Sequence, residues 1–313
     1  MSAGRTLRLG TRRSLLALTQ SGMVARELER RVPGLTVELV ELTTKGDLHK
    51  GDLAAVGGKG LFTEELEAGL LDGSLDLAVH SLKDLPVTLP DGLLVAAYPE
   101  RADPRDALVT DDTDERGLDG LPPGAVVLTG SLRRRAQVLA RRPDLEVRPL
   151  RGNVDTRIRK WRELAVPGGV VLAQAGLDRL GDRLDEGLPI LPLPPEQMLP
   201  APGQGILAVE TKAGSAAEEI CRTLDDGPSR RAAVAERRVV AAFGGDCTLP
   251  LAAWARDVDG GLRLDALLAM PDGTRLARGT GQAADPEATA ETCIAAMRED
   301  GADELLARIR ESG

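Results

Sequence analysis

At 313 residues the chain is long enough for two or three domains, each with its own core. Its 42% hydrophobic and 28% charged content is that of a globular protein, with no apolar run of transmembrane length and no signal-peptide core at the start. Three scattered cysteines exclude a disulfide framework, two histidines exclude a metal-ligand spacing, and with a net charge of −9 the expectation is a cytoplasmic protein without metal or membrane.

Residues 5–10 alternate Leu7 and Leu9 with Arg8 and predict a strand. Thr11-Arg12-Arg13-Ser14 then begins a helix to about residue 31, with Ser14 or Thr11 as its N-cap. Residues 35–42 alternate apolar and polar, a second strand. From 44 to 60, Gly46, Gly51, Gly57, Gly58 and Gly60 break any periodicity and predict a loop long enough to be functional. A helix over 61–71 places Leu66 and Leu70 on one face. A strand over 75–80 runs into Ser81-Leu82-Lys83-Asp84, and another covers 93–98. This alternation argues for an α/β fold with a parallel or mixed sheet covered by helices on both faces. Ligands bind such sheets beyond the carboxyl ends of the strands, where Arg12, Ser81, Lys83 and Asp84 fall.

The pattern pauses at 101–106 and restarts. A strand over 125–128 ends in Thr129-Gly130-Ser131-Leu132-Arg133-Arg134 and a helix to 142. A strand over 146–150 ends in Arg151-Gly152-Asn153, and the next helix carries Arg157. A strand over 170–173 leads to Arg179. Three strand ends thus deliver arginine to one sheet edge, and a helix N-terminus at each adds donors for an anion. Residues 131–162 hold ten arginines and one lysine against three acids. A solvated basic face is the bland reading; three repeats of one placement favour a built anion site. The proline-rich stretch 188–205 reads as a linker or crossover. A strand over 206–210 and helices over 216–224 and 228–242 follow. Then comes Cys247, in a glycine-rich turn where the backbone bends and a large group can approach the sulfur. Cys221 and Cys293 lie in helix-like stretches, where a thiol packs as a small hydrophobe. Strands at 249–256, 262–268 and 275–279 with two helices complete a small α+β unit.

One loop thiol, a Lys83–Asp84 pair and arginines from at least four strand ends fit a polyanionic small molecule, anchored on the thiol and clamped by guanidinium forks. Two other classes stand beside this one. A binding protein for an anionic solute explains the arginines but not Cys247. A nucleic-acid module explains the charge of 131–162, but the whole chain holds five aromatic residues, too few for base stacking.

The chain resembles the porphobilinogen deaminase (hydroxymethylbilane synthase) family over essentially its full length. The resemblance rests on Thr-Arg-Arg-Ser-Leu-Leu-Ala-Leu-Thr-Gln (11–20), Gly-Gly-Lys-Gly-Leu-Phe (57–62), His-Ser-Leu-Lys-Asp (80–84) and Asp-Pro-Arg-Asp (103–106). It continues through Ser-Leu-Arg-Arg (131–134), Arg-Gly-Asn-Val-Asp-Thr-Arg (151–157), Ala-Gly-Leu-Asp-Arg (175–179), Pro-Gly-Gln-Gly (202–205) and the Cys247 turn. It implies a transferase of tetrapyrrole and heme biosynthesis. Four porphobilinogens condense head to tail, each losing ammonia, on a dipyrromethane cofactor in thioether linkage to Cys247. Hydrolysis then releases hydroxymethylbilane. It implies two periplasmic-binding-protein-like domains with mixed sheets plus a small C-terminal α+β domain: residues 1–100 with 201–222, 101–200, and 223–313. Asp84 is the implied catalytic group. Arg12, Ser14, Ser81, Lys83, Arg133, Arg134, Arg151, Arg157 and Arg179 are the implied ligands for cofactor and substrate, with Thr129, Ser131 and Gln204 as polar contacts. The glycine-rich loop with Lys59 and Phe62 is the implied lid. A monomer without nucleic-acid partner is expected. Gly130 stands where the family usually has a hydroxyl residue, Asp246 where Gly or Ser is usual, and Leu15 where proline is common.

Overall fold

The structure is a computed structural model that describes residues 5–43, 63–112, 114–184, 187, 189–244 and 249–312. The glycine-rich loop with Lys59 and Phe62, and the turn with Asp246 and Cys247, lie outside the described residues. The chain divides into two units, Met1–Ala102 with Ile206–Arg230 and Asp103–Gly205 with Arg231–Gly313.

In chain order the first unit holds β1 (Arg5–Arg12), α1 (Leu15–Arg31), β2 (Leu35–Leu42), α2 (Glu64–Asp72), β3 (Leu77–Ser81) and β4 (Leu93–Ala97). The second unit follows with β5 (Asp106–Thr110), β6 (Val126–Leu128), α3 (Leu132–Arg141), β7 (Glu146–Arg148) and α4 (Val154–Leu164). It continues through β8 (Gly168–Ala173), α5 (Gln174–Leu180) and β9 (Ile190–Pro192). The chain then returns to the first unit as β10 (Leu207–Lys212) and α6 (Ala216–Cys221). The division between units falls inside α7 (Gly227–Ala242). β11 (Leu251–Val258), β12 (Gly261–Ala269), β13 (Leu276–Ala283), α8 (Pro286–Glu299) and α9 (Ala302–Ser312) complete the second unit.

The two large sheets share one plan. Their orders are β2-β1-β3-β10-β4 and β7-β6-β8-β5-β9. In each, the strand in fourth position runs against the others: β10 is antiparallel to β3 and β4, and β5 to β8 and β9. These mixed sheets with helices on both faces are the expected α/β architecture. Both strands that run against the rest directly follow a passage of the chain between units.

Helices cover both faces, so central strands read as unbroken apolar runs. β5 is buried along its whole length, and the pause expected near 101–106 gives way to this strand. The sequence pattern missed it because five buried residues carry no period. β9 lies within the proline-rich stretch, where an edge strand tolerates proline. In the first unit Leu9, Leu28, Leu77 and Val209 meet in one core, and Leu66, Leu70, Ala78 and Leu93 in another under α2. In the second, Val109, Val170 and Trp161 pack under α4, and Leu108, Val127 and Val138 under α3. The antiparallel β11-β12-β13 sheet carries α8 so closely that a Cβ at Gly281 would stand 2.1 Å from the Thr289 carbonyl oxygen. Ala136 of α3, Leu199, Ala252 and Leu267 join that sheet to the rest of the unit.

Candidate functional site

In the first unit β1, β2 and β3 run parallel, so their carboxyl ends share one edge. β1 ends at Arg12. Ser14 caps α1, its Oγ accepting from the Ala17 amide at 3.3 Å. Thr11, the alternative cap, is buried and accepts the Ser21 hydroxyl at 2.8 Å. β3 ends at Ser81, whose Oγ accepts from Gln20 Nε2 at 3.1 Å. A 3-10 turn, Leu82–Asp84, follows directly. The Leu82 amide donates to the Ile206 carbonyl at 3.0 Å and the Leu85 amide to the Leu82 carbonyl at 3.1 Å. Lys83 is half-buried in this turn and Asp84 is exposed. The edge therefore gathers Arg12, Ser14, Ser81, Lys83 and Asp84.

In the second unit the carboxyl ends of β6, β7 and β8 share an edge in the same way. β5 runs oppositely, so its first residue, Asp106, pairs with Ala173 at that edge. Asp106 is completely buried. Arg133 Nη1 donates to its Oδ2 at 2.7 Å, and Arg134 Nη2 to its Oδ1 at 2.7 Å. Gln204 Nε2 adds a third donor at 2.9 Å. Both guanidinium groups also reach backbone carbonyls, Arg133 that of Leu199 and Arg134 that of Val171. Burial opposes the charge on Asp106, but the two arginines and Gln204 win and hold its pKa far below the carboxylate range. Burial pushes the Arg133 pKa down, and a guanidinium so placed stays charged at any physiological pH. Two cations thus face one carboxylate, an excess of positive charge in a dry place.

Arg179 extends this edge. Its Nη2 donates to the Gly205 carbonyl at 2.7 Å, while its Nε is buried with no hydrogen-bond partner. Burial lowers its pKa to about 10. Thr129 is buried and its Oγ1 accepts from the Ser131 amide at 3.2 Å. Ser131 caps α3 through the Arg134 amide. Arg157 is half-buried and donates to the Gly152 carbonyl at 2.6 Å, and Arg151 is exposed beside it at the end of β7. Gly130 has a local reason: a Cβ there would stand 2.6 Å from the Leu150 carbonyl oxygen. A hydroxyl residue at this position would need the end of β7 to shift.

The structure therefore places Arg12, Ser14, Ser81, Lys83 and Asp84 at one sheet edge, and Thr129, Ser131, Arg133, Arg134, Arg151, Arg157, Arg179 and Gln204 at another. Sequence reasoning did not single out Asp106, the anion that organises two of these arginines. Its signals were an acid directly before the apolar run 107–109 and its place at the end of the Asp-Pro-Arg-Asp stretch (103–106) that carries the resemblance, neither of which gave it a role. Among the described residues no cluster of His, Cys, Asp and Glu suits a metal, and no helix is long and apolar enough to cross a membrane. Cys221 and Cys293 are buried, and burial pushes both thiols up to about 12. Both pack as the hydrophobes expected.

A mixed α/β sheet edge with more guanidinium than carboxylate, and a buried guanidinium nitrogen left unpaired, has the chemistry of an anion-binding protein. Residues 7–219 match the family model described as "Porphobilinogen deaminase, dipyromethane cofactor binding domain", and residues 231–300 the model of the porphobilinogen deaminase C-terminal domain. The chain belongs to the porphobilinogen deaminase family. It is 42% identical over 312 residues to the porphobilinogen deaminase of Geobacillus kaustophilus and 45% identical over 312 residues to that of Desulforudis audaxviator, covering 98% of both chains in each case. Among solved structures it is similar to a methionine-binding protein, 12% identical with a TM-score of 0.42, covering 74% of this chain and 94% of that one.

Proposed function

We propose that the chain condenses four porphobilinogen molecules head to tail, with loss of one ammonia each, onto an enzyme-bound dipyrromethane, and releases hydroxymethylbilane by hydrolysis. The observation that carries this reading is the match of residues 7–219 to a cofactor-binding family domain, on a chain whose second sheet edge has an excess of buried cations. Dipyrromethane and porphobilinogen both carry acetate and propionate arms. An edge with two guanidiniums on one carboxylate, and a third with an unpaired buried Nε, suits such arms.

Cys247 would hold the cofactor through a thioether; the inert burial of Cys221 and Cys293 supports that choice. When bound, it supplies the pyrrole carbon to which the first substrate is joined. Arg133, Arg134, Arg151, Arg157 and Arg179 receive carboxylate arms, with Thr129, Ser131 and Gln204 as polar contacts. Arg12, Ser14, Ser81 and Lys83 serve the same chemistry at the other edge. Asp84, exposed in its turn, meets the pyrrole N–H and stabilises the cation that forms as ammonia leaves. Three domains, 1–100 with 201–222, 101–200 and 223–313, form a cytoplasmic monomer that needs neither metal nor nucleic acid.

The test is the intact mass of the protein as purified, with Ehrlich's reagent as a second readout. The expected result is extra mass on the Cys247 peptide and a coloured adduct. A mass equal to that of the bare chain, with no colour, would overturn the reading.

A further inference from the structure

Glu210 is an acid in a strand that is otherwise apolar up to Thr211, and its side chain is completely buried. In the register of β3 and β10, Ala208 stands opposite His80 and Glu210 opposite Ala78. Glu210 and His80 are therefore diagonal neighbours on one sheet face. That face is the one under α2, where Leu66 and Leu70 pack on Ala78. His80 Nε2 and Glu210 Oε2 are 2.9 Å apart, with side chains 6% and 0% exposed. A carboxylate only accepts, so Nε2 carries the proton of this bond. Glu67, the buried acid of α2, lies close enough for its charge and that of Glu210 to oppose each other. Burial first, and that like charge further, push the Glu67 carboxyl up; Thr63 and, less, His80 work against it, and Glu64 on the same helix adds to it. Glu67 Oε1 and Glu210 Oε1 are both buried without partners.

Such a cluster is a poor way to stabilise a core, because apolar side chains of similar volume would do so without the desolvation cost. Its position suggests another use. His80 directly precedes Ser81 and the turn that carries Lys83 and Asp84. Gln20 holds Ser81 from α1, and the Ile206 carbonyl holds the Leu82 amide. His80 is the third handle on this strand end.

We propose that Glu210 is a positioning residue for the catalytic turn, acting through His80 to fix the end of β3 and the direction in which Lys83 and Asp84 leave the sheet. The inference rests on Asp84 being the catalytic group.

The experiment uses the holoenzyme with Glu210→Gln, His80→Gln and the double variant. For Glu210→Gln, kcat should fall by about tenfold to a hundredfold, as for small misplacements of reacting groups. KM should change by less than about threefold, because the contact is not with substrate. The double variant should be no slower than His80→Gln alone, since the two side chains act as one unit. The chain has only two histidines, so the His80 imidazole signals are assignable in a 15N-labelled sample. Its Nε2 proton should lie far downfield and move upfield in Glu210→Gln, a neutral amide being the weaker acceptor.

A Glu210→Gln enzyme within about twofold of wild-type kcat would overturn the proposal. So would additive losses in the double variant. If Glu210→Gln does not fold, His80→Gln decides alone: unchanged kcat refutes the proposal, and failure of both to fold assigns the cluster to stability and refutes it too. A wild-type protein that makes no hydroxymethylbilane would instead refute the transferase reading, whatever Glu210 does.

Discussion

Asp84 and Asp106 are aspartates at the carboxyl edges of similar sheets, in opposite surroundings. Asp84 is exposed on a 3-10 turn, and its replacement removes no buried contact. Asp84→Asn should lower turnover by about a hundredfold to a thousandfold, the usual effect of deleting one stabiliser of developing charge. Its urea midpoint should match wild type, and retained turnover would remove Asp84 from its role. Asp106 is buried between Arg133 and Arg134, and Asp106→Asn leaves two guanidiniums without their anion. That variant should lose about 3–5 kcal/mol in urea unfolding, as broken buried pairs do. Acid should show the same group at work. Its folded pKa lies below its unfolded value, so its contribution is full at neutral pH and is lost as pH falls below about 4. Stability of Asp106→Asn should be flatter than wild type on acidification; equal slopes would contradict the assignment. Arg133 and Arg134 were legible in the sequence as strand-end cations. Their shared carboxylate was not, because it lies 27 and 28 residues away and no local pattern encodes that pairing.

The start of α1 was readable, because Ser14 accepts from the amide three residues on, a bond that depends only on local chain geometry; Ser131 caps α3 in the same way but was not singled out as a cap. The choice between Thr11 and Ser14 needed the fold, because Thr11 is still within β1 and is claimed by Ser21. Amphipathic strands such as β1 and β2 were found by alternation, whereas β5 and β9 were not. β5 is buried on both faces and has no alternation to show, and β9 is an edge strand of three residues ending in proline. Glu210 escaped notice for a related reason: one acid closing an apolar run reads as the end of a strand, and only the register with β3 turns it toward His80. The chemistry of the strand ends was thus more legible than the strands that support them from beside.

For the whole molecule the decisive feature is that each large sheet takes its fourth strand from just beyond a passage between units. Among the described residues β10 is the strand that joins β3 to β4. A chain ending at Gly205 should therefore leave Val79–Ser81, the part of β3 that β1 does not pair with, unprotected in hydrogen exchange, and one extended to Arg230 should restore protection. Equal protection in both would show that the first sheet holds without β10. Chain length bounded the chain to two or three domains but could not announce this return, which entered only through the division 1–100 with 201–222 that the family resemblance implied.

The return also sets an order of events on the ribosome. The five strands of the second sheet emerge consecutively and are complete once β9 is out, while β4 has by then waited for a partner still unsynthesised. At ordinary elongation rates that wait is on the order of ten seconds. During it, the nascent segment that will bear Lys83 and Asp84 offers two bare strand edges to whatever chaperone or neighbouring polypeptide is nearby. Newly made molecules should therefore be most vulnerable to misassembly late in translation, shortly before residues 207–212 leave the exit tunnel.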